Sequence, residues 1–564
     1  MDGKDAAVPV PPDAMDTSDC KVCDEIWSAL VGCARNSTVF VAVNVGSFEE
    51  ALSSPCSRHR PLVLQKPYAL EDPSISSQLA PMVQHAIGLT RVIGHRYLWV
   101  DTLCIDHSRV AESVRELQSM GAIYANATLT IVALDGDAQD GFPGLRGISP
   151  SKKSDNGRYV PFGGELFVHE NDLMEVSPYH KRGWTYQEFH MSPRRLIFSN
   201  NSLHWFCQRS VWEEHLYEAN KDLEPYLGEI MRGMPNLDSL SMLIQDYNKC
   251  ELAFDEDALP GITGLLTAFS RSFSGGFLCG IPEMLFEAAL SWKPYWKHTD
   301  LRRRTPSNRP ESSRLRPCHL PSWSWIGWQG PVDIGTKEAG PVQIRDTCIR
   351  ETIPITICPL PTGWTRHAVP AVTKLAETNG ELPELLLYPD GCGDYTFRSG
   401  SPADGREEDE WHWPFPVPDI QESTLPSIPE QSPFICCDTQ RCRVFAFQAA
   451  KETAEETWLL SNSKRIIGRL HLHNDEQLRG FPKSDADWAA AKEVELVAIC
   501  RVRSHSKTFD QEKGGYTLPL KSWDAYVVLW VEWADGVAYR LASGEVEKEA
   551  WEGLALEDVA LVLG

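Results

Sequence analysis

Downstream of Ser77 the apolar residues Met82, Ala86, Leu89 and Ile93 recur at alternating intervals of four and three, which stacks them on one face of a helix. Gly94 stands where such a helix is commonly capped. The next stretch, Tyr97-Leu-Trp-Val-Asp-Thr-Leu-Cys-Ile105, is almost continuously apolar and predicts a strand buried on both faces, ending at Asp106. Ser108 then offers an N-cap to a second helix, in which Val110, Val114, Leu117, Gly121 and Tyr124 share a face while Glu112, Arg115 and Glu116 lie off it. Thr128–Leu134 resumes strand character. Strand, crossover helix and strand make a βαβ unit, whose strands run parallel. The expected class for this part is α/β, a parallel sheet with flanking helices.

Beyond a Gly/Asp/Ser/Lys-rich loop from Asp135 to Val160, Tyr179–Phe189 reads as a loop entering a short helix. Arg195–Phe198 and Leu203–Cys207, separated by Asn200-Asn201-Ser202, predict a hairpin. Residues 225–292 carry helical apolar spacing, for example Leu259, Ile262, Leu265, Leu266 and Phe269. Short β-type runs dominate after Pro321-Ser-Trp-Ser-Trp-Ile-Gly-Trp328. The expected partition is a disordered tail at 1–19, an α/β domain at 20–215, a helical segment at 216–330 and a β-rich region at 331–564. Within the last, the acidic, Pro-rich stretch 405–433 reads as an insertion.

Composition narrows the function classes. At 564 residues the chain exceeds the roughly 250–300 residues of a single core. Its formal charge of −24 repels nucleic-acid phosphates and anionic membranes, so nucleic acid is not an expected partner. The basic run Leu301-Arg302-Arg303-Arg304 reads as a solvated loop. Apolar runs such as Tyr526–Val531 are far shorter than the ~20 residues of a membrane helix, and the first residues lack the basic and apolar regions of a signal peptide; the expected location is cytoplasmic. The 16 cysteines follow no disulfide framework. Cys20-Lys-Val-Cys23 has no second ligand pair nearby, and Cys436 and Cys437, as strand neighbours, point to opposite faces; no metal is expected. The Trp cluster at 321–328 reads as core rather than a ligand platform, because tryptophan is on average highly buried. No Gly-rich phosphate loop is present.

Three segments then occur in one order: Tyr97-Leu-Trp-Val-Asp-Thr-Leu-Cys-Ile-Asp106 with Arg115-Glu116, Met120, Ile123-Tyr124 and Ala127; Arg182-Gly-Trp-Thr-Tyr-Gln-Glu188 with Ser192 and Arg194–Phe198; and Pro321-Ser-Trp-Ser-Trp325. Together they resemble the heterokaryon-incompatibility (HET) domain of fungal self/non-self recognition and cell-death proteins. The resemblance covers roughly residues 60–330. The upstream Leu-Ser-Tyr-x-Trp-Gly type motif common in such domains has no counterpart at 40–75.

The resemblance implies a fold related to Toll/interleukin-receptor (TIR) domains, a flavodoxin-like parallel sheet, and an effector role in programmed cell death through self-association or other incompatibility and signalling proteins. Some TIR domains cleave NAD with one helical glutamate, and Trp184 followed four residues later by Glu188 resembles that arrangement. It implies NAD as a substrate and no cofactor. The i, i+4 spacing puts both side chains on one helix face, and a carboxylate can stabilise an oxocarbenium-like transition state. A charged residue beside a Trp is more often a structural ion-pair member on a helix, and Arg182 or Arg194 is the candidate partner of Glu188. Asp101, inside an apolar run, calls for a partner or a strand-end position. Asp106 fits the same crevice or a helix cap, and Glu116 the crevice or a solvated helix face. Glu188 is the candidate catalytic residue, and Asp101, Asp106, Glu116, Arg182 and Trp184 are the candidate dinucleotide contacts. A non-enzymatic interaction module is the alternative. A Cys104–histidine nucleophile is disfavoured, because thiols within apolar strands are inert.

Overall fold

The computed structural model describes residues 79–104 except 96, 120–150 except 146, 159–162, 165–168, 177–199, 202–207, 211–213, 230, 237–306 except 274 and 296–299, 319–334, 342–345, 348–354, 396–399, 409–412, 431–448, 457–483, 491–510 and 515–564. The predicted tail at 1–19, Asp106 and Glu116 lie outside the described residues. The chain divides into two compact units, Met1–Pro225 with Pro310–Arg316, and Tyr226–Arg309 with Pro317–Gly564.

The first unit is built on a four-stranded sheet with β1 (Thr130–Ala133) beside β4 (Arg194–Ser199), then β5 (Ser202–Cys207) and β6 (Val211–Glu213). A separate hairpin joins β2 (Tyr159–Phe162) to β3 (Glu165–Val168). Strands β1 and β4 are parallel, with Val132 opposite Ile197, whereas β4–β5 and β5–β6 are antiparallel. The Arg195–Cys207 hairpin forms as its turn residues predict. Alternation divides the core. Leu196, Phe198 and Trp205 pack with Ala86 and Leu89 of helix α1 (Pro81–Val92) on one face. Val132 and Ile197 pack with Phe189 on the other.

Two expectations are corrected here. The run from Tyr97 is not a strand: 97–100 is irregular, and Asp101–Cys104 is a helical turn, α2. The parallel partner of β1 is therefore β4, reached from its C-terminal side. A continuous apolar run does not by itself distinguish a buried strand from a helical segment, and here the Cys104 amide bonds the Val100 carbonyl at 2.8 Å. The basic run at 301–304 is not a solvated loop either. Leu301 and Arg304 are buried, with 1% and 2% exposure, and the short strand Arg302–Arg303 pairs with Trp328–Gln329. Arg304 donates to the Asn248 side chain and the Trp328 carbonyl, and only Arg302 reaches out, to Asp255 at 2.6 Å.

In the second unit, helices α5 (Leu237–Lys249) and α6 (Pro260–Phe269) bury Leu240, Ile244, Tyr247, Ile262, Leu265 and Phe269. The strands β7 (Val342–Arg345), β8 (Cys348–Pro354), β9 (Ile435–Gln448), β10 (Thr457–Leu460), β11 (Ile466–His471), β12 (Lys492–Asp510), β13 (Gly515–Ala534), β14 (Val537–Glu547) and β15 (Glu557–Leu563) form one sheet. Because β9 also pairs with β12, the order β12-β13-β14-β11-β10-β9 closes into a six-stranded antiparallel barrel. Closure pairs each of these six strands on both sides, and the interior is filled by Val444, Leu459, Leu470, Leu496, Val528, Trp530 and Trp551 among others. At the β11–β14 seam, a Cβ on Gly468 would collide with the Glu545 carbonyl. Cys436 is exposed and Cys437 buried, as strand alternation requires.

The Trp cluster is core, as predicted. Trp292, Trp323 and Trp325 have no exposed surface, and their indole N–H groups donate to the carbonyls of Trp323, Pro433 and Gly280 at 2.8, 3.0 and 3.0 Å. The tight turn Cys279-Gly280 has both φ angles positive, at 47° and 84°. Gly280 also lies where any side chain would strike the Trp325 ring.

His473, fully buried, stacks on Trp292 with ring centroids 5.0 Å apart and meets Trp328 edge-on at 4.3 Å. Neither ring nitrogen has a protein partner. The Arg540 guanidinium lies 3.6 Å from the Trp292 ring. Burial, then Arg540, Arg303 and His471, hold the His473 pKa well below its ordinary 6.5. The unfolded chain therefore binds a proton that the folded one does not. Stability from this group is complete above the ordinary value and declines as pH falls below it, by about 1.4 kcal/mol per pH unit. His473→Phe is expected to flatten the pH dependence of the unfolding free energy below about pH 6.5 by that slope; an unchanged slope rejects the assignment.

Candidate functional site

Helix α4 (Gly183–Met191) opens at Arg182, whose backbone is extended and whose side chain makes no cap bond. It follows α3 (Pro178–Lys181), capped by the Ser177 hydroxyl accepting from the His180 amide at 3.2 Å. The Thr185 hydroxyl ties the two together, its single proton shared between the carbonyls of Tyr179 and, at 2.8 Å, Arg182. At the other end, the Ser192 hydroxyl donates to the Glu188 carbonyl at 2.6 Å and lies 2.7 Å from the Thr130 hydroxyl of β1. Phe189 anchors the helix in the sheet core. The Arg195 guanidinium sits 4.3 Å from its ring centre and donates to its carbonyl at 3.1 Å. The last turn of α4, with Glu188 on it, is thus fixed to β1 and β4.

Glu188 and Trp184 are both partly buried on this helix. The Glu188 carboxylate accepts a hydrogen bond from the Tyr124 hydroxyl and feels the charges of Asp101 and Arg182. Burial dominates, opposed by the Tyr124 hydrogen bond, reinforced by Asp101 and opposed again by Arg182, and the net effect pushes its pKa up to about 7. Tyr124, on the helical stretch 120–125, has its own pKa raised, first by burial and then by Glu188, so its hydroxyl stays a donor. Tyr179 is raised for the same two reasons. The Trp99 ring meets Tyr124 edge-on at 5.6 Å.

Of the residues singled out in the sequence, Asp101, Arg182 and Glu188 interact electrostatically, and Trp184 shares the Glu188 helix. Asp101 is exposed at the start of α2 rather than enclosed in a strand. The sequence pattern puts Tyr124 among the apolar positions of a helix and does not single out Tyr179; the usable signal is that a buried tyrosine hydroxyl needs a polar partner. The Cys104 sulfur accepts the Val100 amide at 3.4 Å. His180 and His190 are pushed down to about 4 and about 3, mainly by burial with Arg195 adding to it. Both imidazoles are neutral near pH 7. The chemistry available is that of one carboxylate poised near neutrality, flanked by phenols, a second carboxylate and an exposed arginine.

Among the described residues no helix is long and apolar enough to cross a membrane. No curated protein and no solved structure matches the chain. Residues 60–188 match the family model described as Heterokaryon incompatibility protein (HET). This stretch, which includes Asp101, Tyr124 and Glu188, is thereby identified as a heterokaryon-incompatibility (HET) domain within the chain.

Proposed function

We propose that this HET domain cleaves the N-glycosidic bond of NAD with Glu188 as the catalytic carboxylate, and that the resulting loss of NAD executes cell death in fungal non-self recognition. The family match supports the role in heterokaryon incompatibility. The observation that carries the chemistry is a carboxylate poised near pH 7 against Tyr124 and beside Asp101. A TIR-like scaffold is supported by the parallel β1–β4 pair and by helices on both sheet faces.

Nicotinamide leaves a pyridinium glycoside as a neutral molecule, so the departing group needs no acid. The C1′–N bond breaks with its electron pair going to the ring. Positive charge then develops on the ribose, where ionised Glu188 stabilises it electrostatically. A water oxygen bonds C1′, and its proton passes to the carboxylate, whose pKa near 7 suits a general base. Asp101 adds negative potential at the same place. In this reading Arg182, exposed at the helix N-terminus, pairs with the pyrophosphate and Trp184 stacks on a ring. Self-association and other incompatibility or signalling proteins are the proposed triggers.

Because the ionised form acts, nicotinamide release is expected to rise with pH through about 7 and level off above it. Purified protein at high concentration, or clustered on a scaffold, is incubated with NAD, and nicotinamide and ADP-ribose are quantified by chromatography. Equimolar release with that acid limb supports the proposal. No release under clustering removes it, and death persisting in fungal cells without NAD loss favours the interaction-module reading.

A further inference from the structure

We infer that Tyr124 is a positioning residue whose hydroxyl, donating to the Glu188 carboxylate, holds that carboxylate in one orientation toward the glycosidic carbon. The inference rests on the proposal that Glu188 carries NAD cleavage. The backbone beneath Glu188 is already immobilised. A hydroxyl has one proton to donate, and the Ser192 proton goes to the Glu188 carbonyl. The 2.7 Å contact between Thr130 and Ser192 therefore has Thr130 as its donor. This gives a directed relay from β1 through Ser192 to the Glu188 carbonyl.

The side chain is a separate matter. The terminal torsion of a glutamate is broad, and fixing the helix leaves it free to swing. Tyr124 supplies the missing constraint from a different element, the stretch 120–125, where Met120 and Gly121 are buried. Its own ring is set by the Trp99 edge 5.6 Å away. Since Tyr124 remains protonated, it acts as a fixed donor and not as a base. A donor aimed at the charged form favours ionisation, which offsets the opposing charge of Asp101.

Tyr124→Phe in the full chain removes the hydroxyl alone. The direct readout is the ¹³C titration of the Glu188 carboxyl, assigned by its absence in Glu188→Gln. In Tyr124→Phe the midpoint is expected to move up by about one pH unit, and the acid limb of nicotinamide release to move with it. A midpoint that stays put in the folded variant overturns the inference. Where neither protein releases nicotinamide but the midpoint moves, the Tyr124–Glu188 hydrogen bond stands, while the hydrolase proposal falls and takes the orientation toward a glycosidic carbon with it. Where both release nicotinamide with identical acid limbs, the hydrolase proposal stands and the Tyr124 role falls. Site-specific 3-fluorotyrosine at position 124 keeps the packing and makes the phenol a stronger donor, so the test holds even if Tyr124→Phe does not fold. The midpoint is then expected to move down, and no movement overturns the inference.

Discussion

Trp325→Ala is expected to remove most of the stability of the larger unit. The ring has no exposed surface, fills the space over Gly280 and meets Tyr247 edge-on at 6.3 Å. Its N–H satisfies the Gly280 carbonyl at 3.0 Å, which the substitution would leave buried without that donor. Emptying a buried tryptophan site costs about 3–5 kcal/mol, and stranding a buried carbonyl adds roughly 1–3 kcal/mol. Against a typical total of about 5–15 kcal/mol, the unit approaches its folding limit. Chemical denaturation followed by far-UV circular dichroism measures this. Trp523, 44% exposed, is the control, with an expected change for Trp523→Ala within about 0.5 kcal/mol. Equal costs for the two would mean that the Trp cluster is not the core that its burial indicates.

Glu188→Gln separates chemistry from stability. Glutamine has the same shape and can still accept from Tyr124, but it carries no charge and so removes both the desolvation cost and the repulsion from Asp101. The thermal midpoint is expected to hold or rise slightly. Catalysis has no such tolerance, because a neutral amide cannot stabilise an oxocarbenium-like centre. A loss of about a thousandfold in nicotinamide release is expected, in line with removing a preorganised electrostatic group. Killing on expression in fungal cells is expected to disappear with it. A variant with a lowered midpoint would indicate that Glu188 serves as a structural partner instead.

Local patterns were legible where one physical requirement dominated. Helix α1 follows from the Met82–Ile93 period, the β4–β5 hairpin from apolar runs around Asn200-Asn201-Ser202, and the Trp cluster from the rule that tryptophan is buried. The run at Tyr97–Ile105 misled because apolarity reports burial and not backbone geometry; Asp101 marked the start of a turn of helix, not a charge inside a strand. Arg304 misled because an arginine beside Arg302 and Arg303 looked solvated, yet the Asn248 side chain and the Trp328 carbonyl satisfy it inside the fold. Closure of the barrel by β9 and β12, with Val444 opposite Val494, has no local signature, since it depends on pairing between distant segments. In the site, the Trp184–Glu188 spacing was visible along one helix. The Tyr124 contact was not, because it joins two elements whose approach is set by packing alone.

The most direct measurement is nicotinamide release from NAD by wild-type protein and by Glu188→Gln, side by side, under the same clustering and above pH 7. If Glu188 carries the cleavage, sustained release by the wild type and a loss of about a thousandfold in the variant are expected. Equal release by the two proteins, or none by the wild type, would contradict it.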